Sequence, residues 1–392
     1  MTLEEITAQI RPLDRNAEKK VRLRWGSLCK PLGGFGLFEE IIAQLGGIQR
    51  TDRPSAGDAV IVIMGADNGV VAQGVSQSGQ EVTAQVLENM VLGKSSVCVM
   101  SNYTKTRVVP VNIGISGEVP QALRREMNDL LPPGGAVPPA RQEDNRFFWE
   151  NGIGGILEVP VSHGTDDISR GPAMAGSAAE KAVLTGIRIA RRLKKLGYDL
   201  LIPGEMGIGN TTTSSAVACA LTGRDPRVMT GAGAGLSAAG VAHKAEVVRK
   251  ALEVNLPDPF DPVGLIAKVG GFDIAGMCGL YLGAASCGMG CLVDGFISLT
   301  AADLAVRLAP CCRDYLIATH KSAEPAFGAL LEDLGLKPVL DAGMHLGEAT
   351  GAAAVYTLLR EMLYVYDTLP RFEEGHVKSY SIQADPFRPS AV

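Results

Sequence analysis

The chain has 392 residues, 46% of them apolar and 20% charged, with 37 Lys and Arg against 42 Asp and Glu for a net charge of -5. That balance excludes a disordered chain, which could not carry so much apolar side chain, and leaves no basic footprint for nucleic acid. The 47 glycines follow no Gly-X-Y period, which excludes collagen; they suit many tight strand–helix junctions, and the length fits two or three domains or one large α/β unit.

The N-terminus, MTLEEITAQIRPLDRN, has no basic patch followed by an apolar stretch. A cytoplasmic protein with reduced thiols is therefore expected. Residues 35–47 (FGLFEEIIAQLGG) have helical periodicity and stop at Gly46–Gly47. AVIVIMG (59–65) reads as a buried parallel strand, followed by the turn GADNGV. Residues 80–100 read as a helix. LGKSS (92–96) has Glu88 where a phosphate-binding loop needs Gly, so it reads as a plain turn. RVVPVNI (107–113) is a second strand candidate despite Pro110. Residues 115–150, rich in Pro, charge and aromatics, read as a surface loop or insertion.

From 174 the α/β alternation returns. A helix (174–196), the strand YDLLIP (198–203), a Gly-rich turn and an Ala/Thr/Ser helix from about 211 follow in order, then a charged helix at 239–253. Ile274 to Val293 runs 20 residues without a charge between Asp273 and Asp294. Its length could span a bilayer, but its glycines and flanking acids fit a buried helix and strand better. YLIATH (315–320) and KPVLD (337–341) read as the last strands. Cys287 and Cys291 lack a partner pair and no C-x-x-C occurs, so no metal site is expected.

This alternation predicts an α/β fold, a doubly wound and mostly parallel Rossmann-like sheet. Residues 1–50 and 345–392 fall outside it and are expected to form a small helical domain. Residues 51–344 would form the large α/β domain, with the Pro-rich insertion at about 115–150.

Ligands of open parallel sheets bind at the carboxyl ends of the strands. Three motifs stand at such ends. In GEMGIGNTTTSS (204–215), Gly207 and Gly209 let the backbone approach a ligand, and Asn210, Thr211 and Thr212 add donors at a helix start. That arrangement suits a phosphate, although a Gly-rich turn with a Thr cap has the same pattern. In DAGMHLGEATGAA (341–353), Glu348 sits among apolar neighbours, as a raised-pKa general base would. A carboxylate favoured by the helix dipole reads the same way. In GADNGVVAQGVSQSGQEVTAQ (65–85), polar residues punctuate an apolar background, fitting either a cleft for a planar ligand or an Asx turn.

KPLGGFGLFEEIIAQLGGIQ, GADNGVVAQGVS, VTAQ, GEMGIGNTT, HKAEVV, VGGFDIAGMCGLYLGAA, DGFIS, RDYLIATHKSAEP and LDAGMHLGEATGAA together resemble the nicotinate-nucleotide:5,6-dimethylbenzimidazole phosphoribosyltransferases of cobamide biosynthesis. The resemblance implies transfer of ribose 5-phosphate from nicotinate mononucleotide to an aromatic base, forming an α-riboside phosphate. It implies Glu348 as the catalytic base and Glu205 as a second acid. It implies a ribose-phosphate site of Gly207, Gly209, Asn210, Thr211, Thr212, Lys244 and Ser322. Ser78, Gln80, Gln85, Met344 and Leu346 would border the base. No cofactor or metal is implied, and the partners would be these small molecules and a second subunit, not nucleic acid or membrane. Asn68 stands where the family has His, and GAGAG (231–235) has Ala232 where the family has Arg. These departures leave open a paralogue acting on phenolic bases, or a weakly active half of a heterodimer instead of a homodimer. A dinucleotide-dependent oxidoreductase lacks its G-x-G-x-x-G.

Overall fold

The computed structural model describes residues 2–135 and 151–380. The β-branched runs form the centre of its sheet. AVIVIMGA is β1 (Ala59–Ala66) and RVVPVNIG is β2 (Arg107–Gly114), with every residue of both buried. β3 (Arg124–Arg125), β4 (Ile156–Glu158), β5 (Leu200–Met206), β6 (Gly290–Val293) and β7 (Leu316–Ala318) complete one seven-stranded sheet in the order β3-β4-β2-β1-β5-β6-β7. All six pairings are parallel. The chain builds outward from β1 through β2 on one side, then returns to add β5, β6 and β7 on the other. The direction reverses between β1 and β5, which is where such sheets open a crevice at their carboxyl ends.

Pro110 is tolerated inside β2 because of the side it faces. Val108 donates to Asn151 O and Asn112 accepts from Val159 N–H, both away from β1. Pro110 points the same way by alternation, and β4 pairs with β2 only at Val111 and Asn112. The missing N–H therefore breaks no rung of the β1–β2 ladder.

The uncharged run resolves into the helix Phe272–Ser286 and β6, with Phe272 to Ala285 all buried. The helix lies between the sheet and the helix Gly176–Lys195. Glycine permits that closeness: a Cβ on Gly279 would sit 2.0 Å from Val183 O, and one on Gly186 2.0 Å from Gly276 O. No helix among the described residues is long and apolar enough to cross a membrane.

Three expectations need correction. Residues 80–100 form two helices, Glu81–Val91 and Ser96–Thr104. The break follows from Gly93 at positive φ and from Ser95, whose hydroxyl caps the second helix by accepting from Cys98 N–H. KPVLD is not a strand; Leu340 makes a single bridge to His320. The 115–150 segment is more than a surface loop, because Arg124 and Arg125 pair with Ile156 and Leu157 as the sheet's edge. Its remainder, 136–150, lies outside the described residues.

The chain divides into two compact units, residues 1–12 with 56–357 and residues 13–55 with 358–392. The first holds the whole sheet. The second contains the helices Arg15–Ser27 and Leu37–Gln49. There Trp25 packs against Phe35 and Tyr366, and Lys30 pairs with Glu39 at 2.6 Å.

Candidate active site

A solvent-open cleft of about 210 Å³ lies at the carboxyl ends of β5, β6 and β7. Each strand delivers one titratable side chain to it: Glu205 on β5, Asp294 just after β6, and His320 just after β7.

β5 ends in Glu205–Met206, and the turn Gly207–Gly209 starts the helix Asn210–Thr222. A Cβ on Gly207 would sit 2.3 Å from Ala66 O and 3.0 Å from Asp273 Oδ2, so only glycine lets the turn pass this close to β1. Asn210 opens the helix and its amide donates to both Glu205 Oε2 and Asp273 Oδ2, the latter at 2.9 Å. Glu205 and Asp273 are buried. Burial first, and the Asp273 charge second, push the Glu205 carboxyl up to about 8. Burial pushes Asp273 up to about 6. Glu205 therefore holds a proton at neutral pH.

Thr211 lines the cleft and its hydroxyl accepts from Lys244 Nζ at 2.7 Å. Lys244 lies fully buried beneath it, reaches Gly231 O at 3.4 Å, and is lowered by burial to about 8. Glu324 opposes that shift. Its Oε1 accepts from Gly233 N–H at 3.1 Å, and its Oε2 is buried without a hydrogen-bond partner. Glu324 thus fastens the GAGAG loop over the lysine. Ser322 lines the same wall, and its hydroxyl accepts from Glu324 N–H.

Glu348 stands on a turn of unusual backbone. Gly347, Glu348 and Ala349 have φ of +90°, +55° and +62°, and the helix Thr350–Thr368 follows at once. Two consecutive non-glycine residues in the left-handed region store strain of about 1–2 kcal/mol each. Behind the turn, Thr350 donates to Gly347 O at 2.8 Å. Asp294 Oδ1 accepts from Ala352 N–H at 2.9 Å and lies 3.8 Å from His320 Nδ1. Glu348 Oε2 is buried without a hydrogen-bond partner. Burial, then the Asp294 charge, raise the Glu348 pKa.

Of the residues expected from sequence, Glu205, Gly207, Gly209, Asn210, Thr211, Ser322, Leu346 and Glu348 line this one cleft. Lys244 touches it from below, while Thr212 is buried and its hydroxyl has no hydrogen-bond partner. Val75, Ser76 and Gln77 line it where Ser78, Gln80 and Gln85 do not. Gln80 instead donates to Asn68 O at 3.1 Å, and Gln85 is exposed on its helix. Met344 is half-buried beside Leu346, outside the lining. Sequence reasoning passed over Asp273, Asp294, His320 and Glu324. The signal for the first two was present: they are the charges that bound the 20-residue apolar run. Among the described residues, no three His, Cys, Asp or Glu side chains are grouped to hold a metal ion.

A family model described as "Phosphoribosyltransferase" matches residues 10–377. The chain is 38% identical over 380 residues to a nicotinate-nucleotide–dimethylbenzimidazole phosphoribosyltransferase of Ruminiclostridium cellulolyticum, covering 97% of this chain and 99% of the relative. It is 38% identical over 363 residues to the protein of that name from Acetivibrio thermocellus, covering 93% and 94%. A crystal structure of a nicotinate-nucleotide–dimethylbenzimidazole phosphoribosyltransferase from Thermus thermophilus superposes with a TM-score of 0.80 at 33% identity, covering 93% of this chain and 99% of that one. The sheet order, the cleft at its carboxyl ends and this match along nearly the whole length agree: the chain belongs to the phosphoribosyltransferase family.

Proposed function

We propose that the protein transfers ribose 5-phosphate from nicotinate mononucleotide to a benzimidazole-type base, giving an α-riboside phosphate and nicotinate. The observation that carries this reading is Glu348, whose unpartnered buried oxygen shares a cleft with the Gly-rich turn of β5. The names of the relatives support the substrates.

Gly207, Gly209, Asn210 and Thr211, with Lys244 and Ser322, hold the ribose phosphate, and buried Thr212 backs the turn. Leu346, with Ser76 and Gln77 of the same lining, borders the aromatic base. The base nitrogen attacks C1′ from the face opposite nicotinate, so the configuration inverts. As the new C–N bond forms, the old one breaks and its electron pair neutralises the pyridinium nitrogen of the leaving nicotinate. Ring N–H acidity rises with that bond, and Glu348 takes the proton. Glu205, carrying its own proton, serves as a hydrogen-bond donor beside the sugar. Alignment of two flat rings across one carbon supplies much of the acceleration, and the general base adds about 10²–10⁴-fold. The protein works in the cytoplasm as a dimer.

The test is incubation of the pure chain with nicotinate mononucleotide and 5,6-dimethylbenzimidazole, following nicotinate release by chromatography. Release that requires the base and disappears in Glu348→Gln supports the reading. An inert wild-type chain, or a fully active Glu348→Gln, overturns it. Sedimentation at assay concentration checks the dimer.

A further inference from the structure

Asp294 has no role in the chemistry above, yet it occupies a commanding position. It follows β6, lines the cleft, and reaches across to the first turn of the helix that begins two residues after Glu348. Its Oδ1 accepts from Ala352 N–H at 2.9 Å, and Gly351 and Gly295 also donate to its carboxylate. His320 closes the arrangement from the end of β7: its Nδ1 is 3.8 Å from Asp294 Oδ1, and its ring lies so close to Gly351 that a Cβ there would fall 1.9 Å from Nδ1.

The Gly347–Ala349 turn is therefore not held by its own preferences. Glu348 and Ala349 both occupy a conformation that ordinary residues avoid. Such a turn persists only where its surroundings fix it: Gly204 of β5 packs closely on Ala349, and the Asp294 contact holds the helix N-terminus that follows. A carboxylate there also meets the positive end of the helix dipole. We propose that Asp294 is a positioning residue for the transferase reaction: it anchors the strained turn that carries Glu348 and sets a second carboxylate in the cleft that Glu348 borders.

The other titratable groups facing the pair are Glu205 from β5, His320 from β7, Tyr281 of the helix Phe272–Ser286, and Cys98 of the helix Ser96–Thr104. Glu205 is protonated near neutral pH, and burial raises the Cys98 thiol to about 12 and the Tyr281 hydroxyl well above its ordinary value. Burial raises the Asp294 pKa, while His320 and the three backbone N–H groups pull it back toward the ionised form.

This inference rests on the transferase reading, and the two fail separately. The experiment compares Asp294→Asn, Asp294→Ala and Glu348→Gln in the full chain, measuring kcat and KM from pH 5 to 9. Asn keeps an oxygen to accept from Ala352 and removes the charge; Ala removes both. Glu348 must be ionised to act, so activity rises as pH passes its pKa. Removing the Asp294 charge lowers that pKa. Asp294→Asn should move the acid limb of kcat to lower pH and lower the plateau a few-fold, with both KM values little changed. Asp294→Ala should lose about tenfold or more in kcat, because the turn also loses its anchor. An acid limb that stays in place in Asp294→Asn overturns the electrostatic role. An Asp294→Ala variant with the kcat of Asp294→Asn overturns the anchoring role. A fully active Glu348→Gln instead overturns the transferase assignment itself. Should Asp294→Ala fail to fold, Asp294→Asn, which keeps an oxygen to accept from Ala352 N–H and loses the charge, still decides through its acid limb.

Discussion

The two glutamates of the cleft are held in opposite ways. Glu205 grows out of a regular strand, is buried, and has its carboxyl fixed by Asn210 with Asp273 as co-tenant. Glu348 rides on a turn of three left-handed residues, keeps one oxygen unpartnered, and borders open space. Both pKa values are raised, but from different sources beyond burial: Asp273 for Glu205 and Asp294 for Glu348. A buried acid fixed through one oxygen stores a proton, whereas one with a free oxygen can collect one. Two residues of one type thus stand ready for different work through their surroundings.

If that contrast is right, Glu348→Gln, which keeps shape and loses basicity, should cost about 10²–10⁴ in kcat with KM nearly unchanged. Steady-state kinetics on both substrates checks this, and a loss under tenfold would mean that proton removal contributes little. Asn210→Ala should act on stability instead. It strips a donor from two buried carboxyls at once, each loss costing about 1–3 kcal/mol. Urea denaturation reads the sum, and a variant as stable as wild type would show that water replaces the amide.

The pH dependence of stability sharpens the same point. Glu205 has a folded pKa of about 8 against 4.5 when exposed. A carboxyl raised on folding contributes stability that is complete below 4.5 and is lost as pH rises through 8. Between those values the folded state should lose up to about 1.4 kcal/mol per pH unit from this group. Glu205→Gln should flatten that slope in denaturation curves taken at pH 5, 6, 7 and 8; an unchanged slope would show that Glu205 ionises as freely folded as unfolded. The smallest effect concerns the base side. Ser76→Ala should raise KM for the aromatic base two- to tenfold, the worth of about one hydrogen bond, with KM for nicotinate mononucleotide unmoved.

Much of this was legible in the residues, and the limits have physical causes. β1 and β2 read clearly because a strand buried on both faces is a continuous β-branched run. KPVLD misleads because it has strand-like residues and no ladder partner beyond Leu340, and pairing is a non-local property. Gly207, Gly209, Asn210 and Glu348 stood out because their motifs sit where strands end. Asp294 and His320 did not, since one flanks an apolar run and the other closes an ordinary strand. Only the parallel order of β6 and β7 sets them side by side. The strain at Glu348 was invisible, because nothing in LGEAT announces a left-handed glutamate.

That left-handed glutamate carries a consequence for heat tolerance. Glycine occupies such a conformation freely, so Glu348→Gly should relieve the strain and yield an inactive protein that melts a few degrees higher, for a gain of about 1 kcal/mol. A screen for thermal robustness would enrich that substitution and discard the activity with it. Any effort to harden this scaffold should hold position 348 constant and seek its improvements elsewhere.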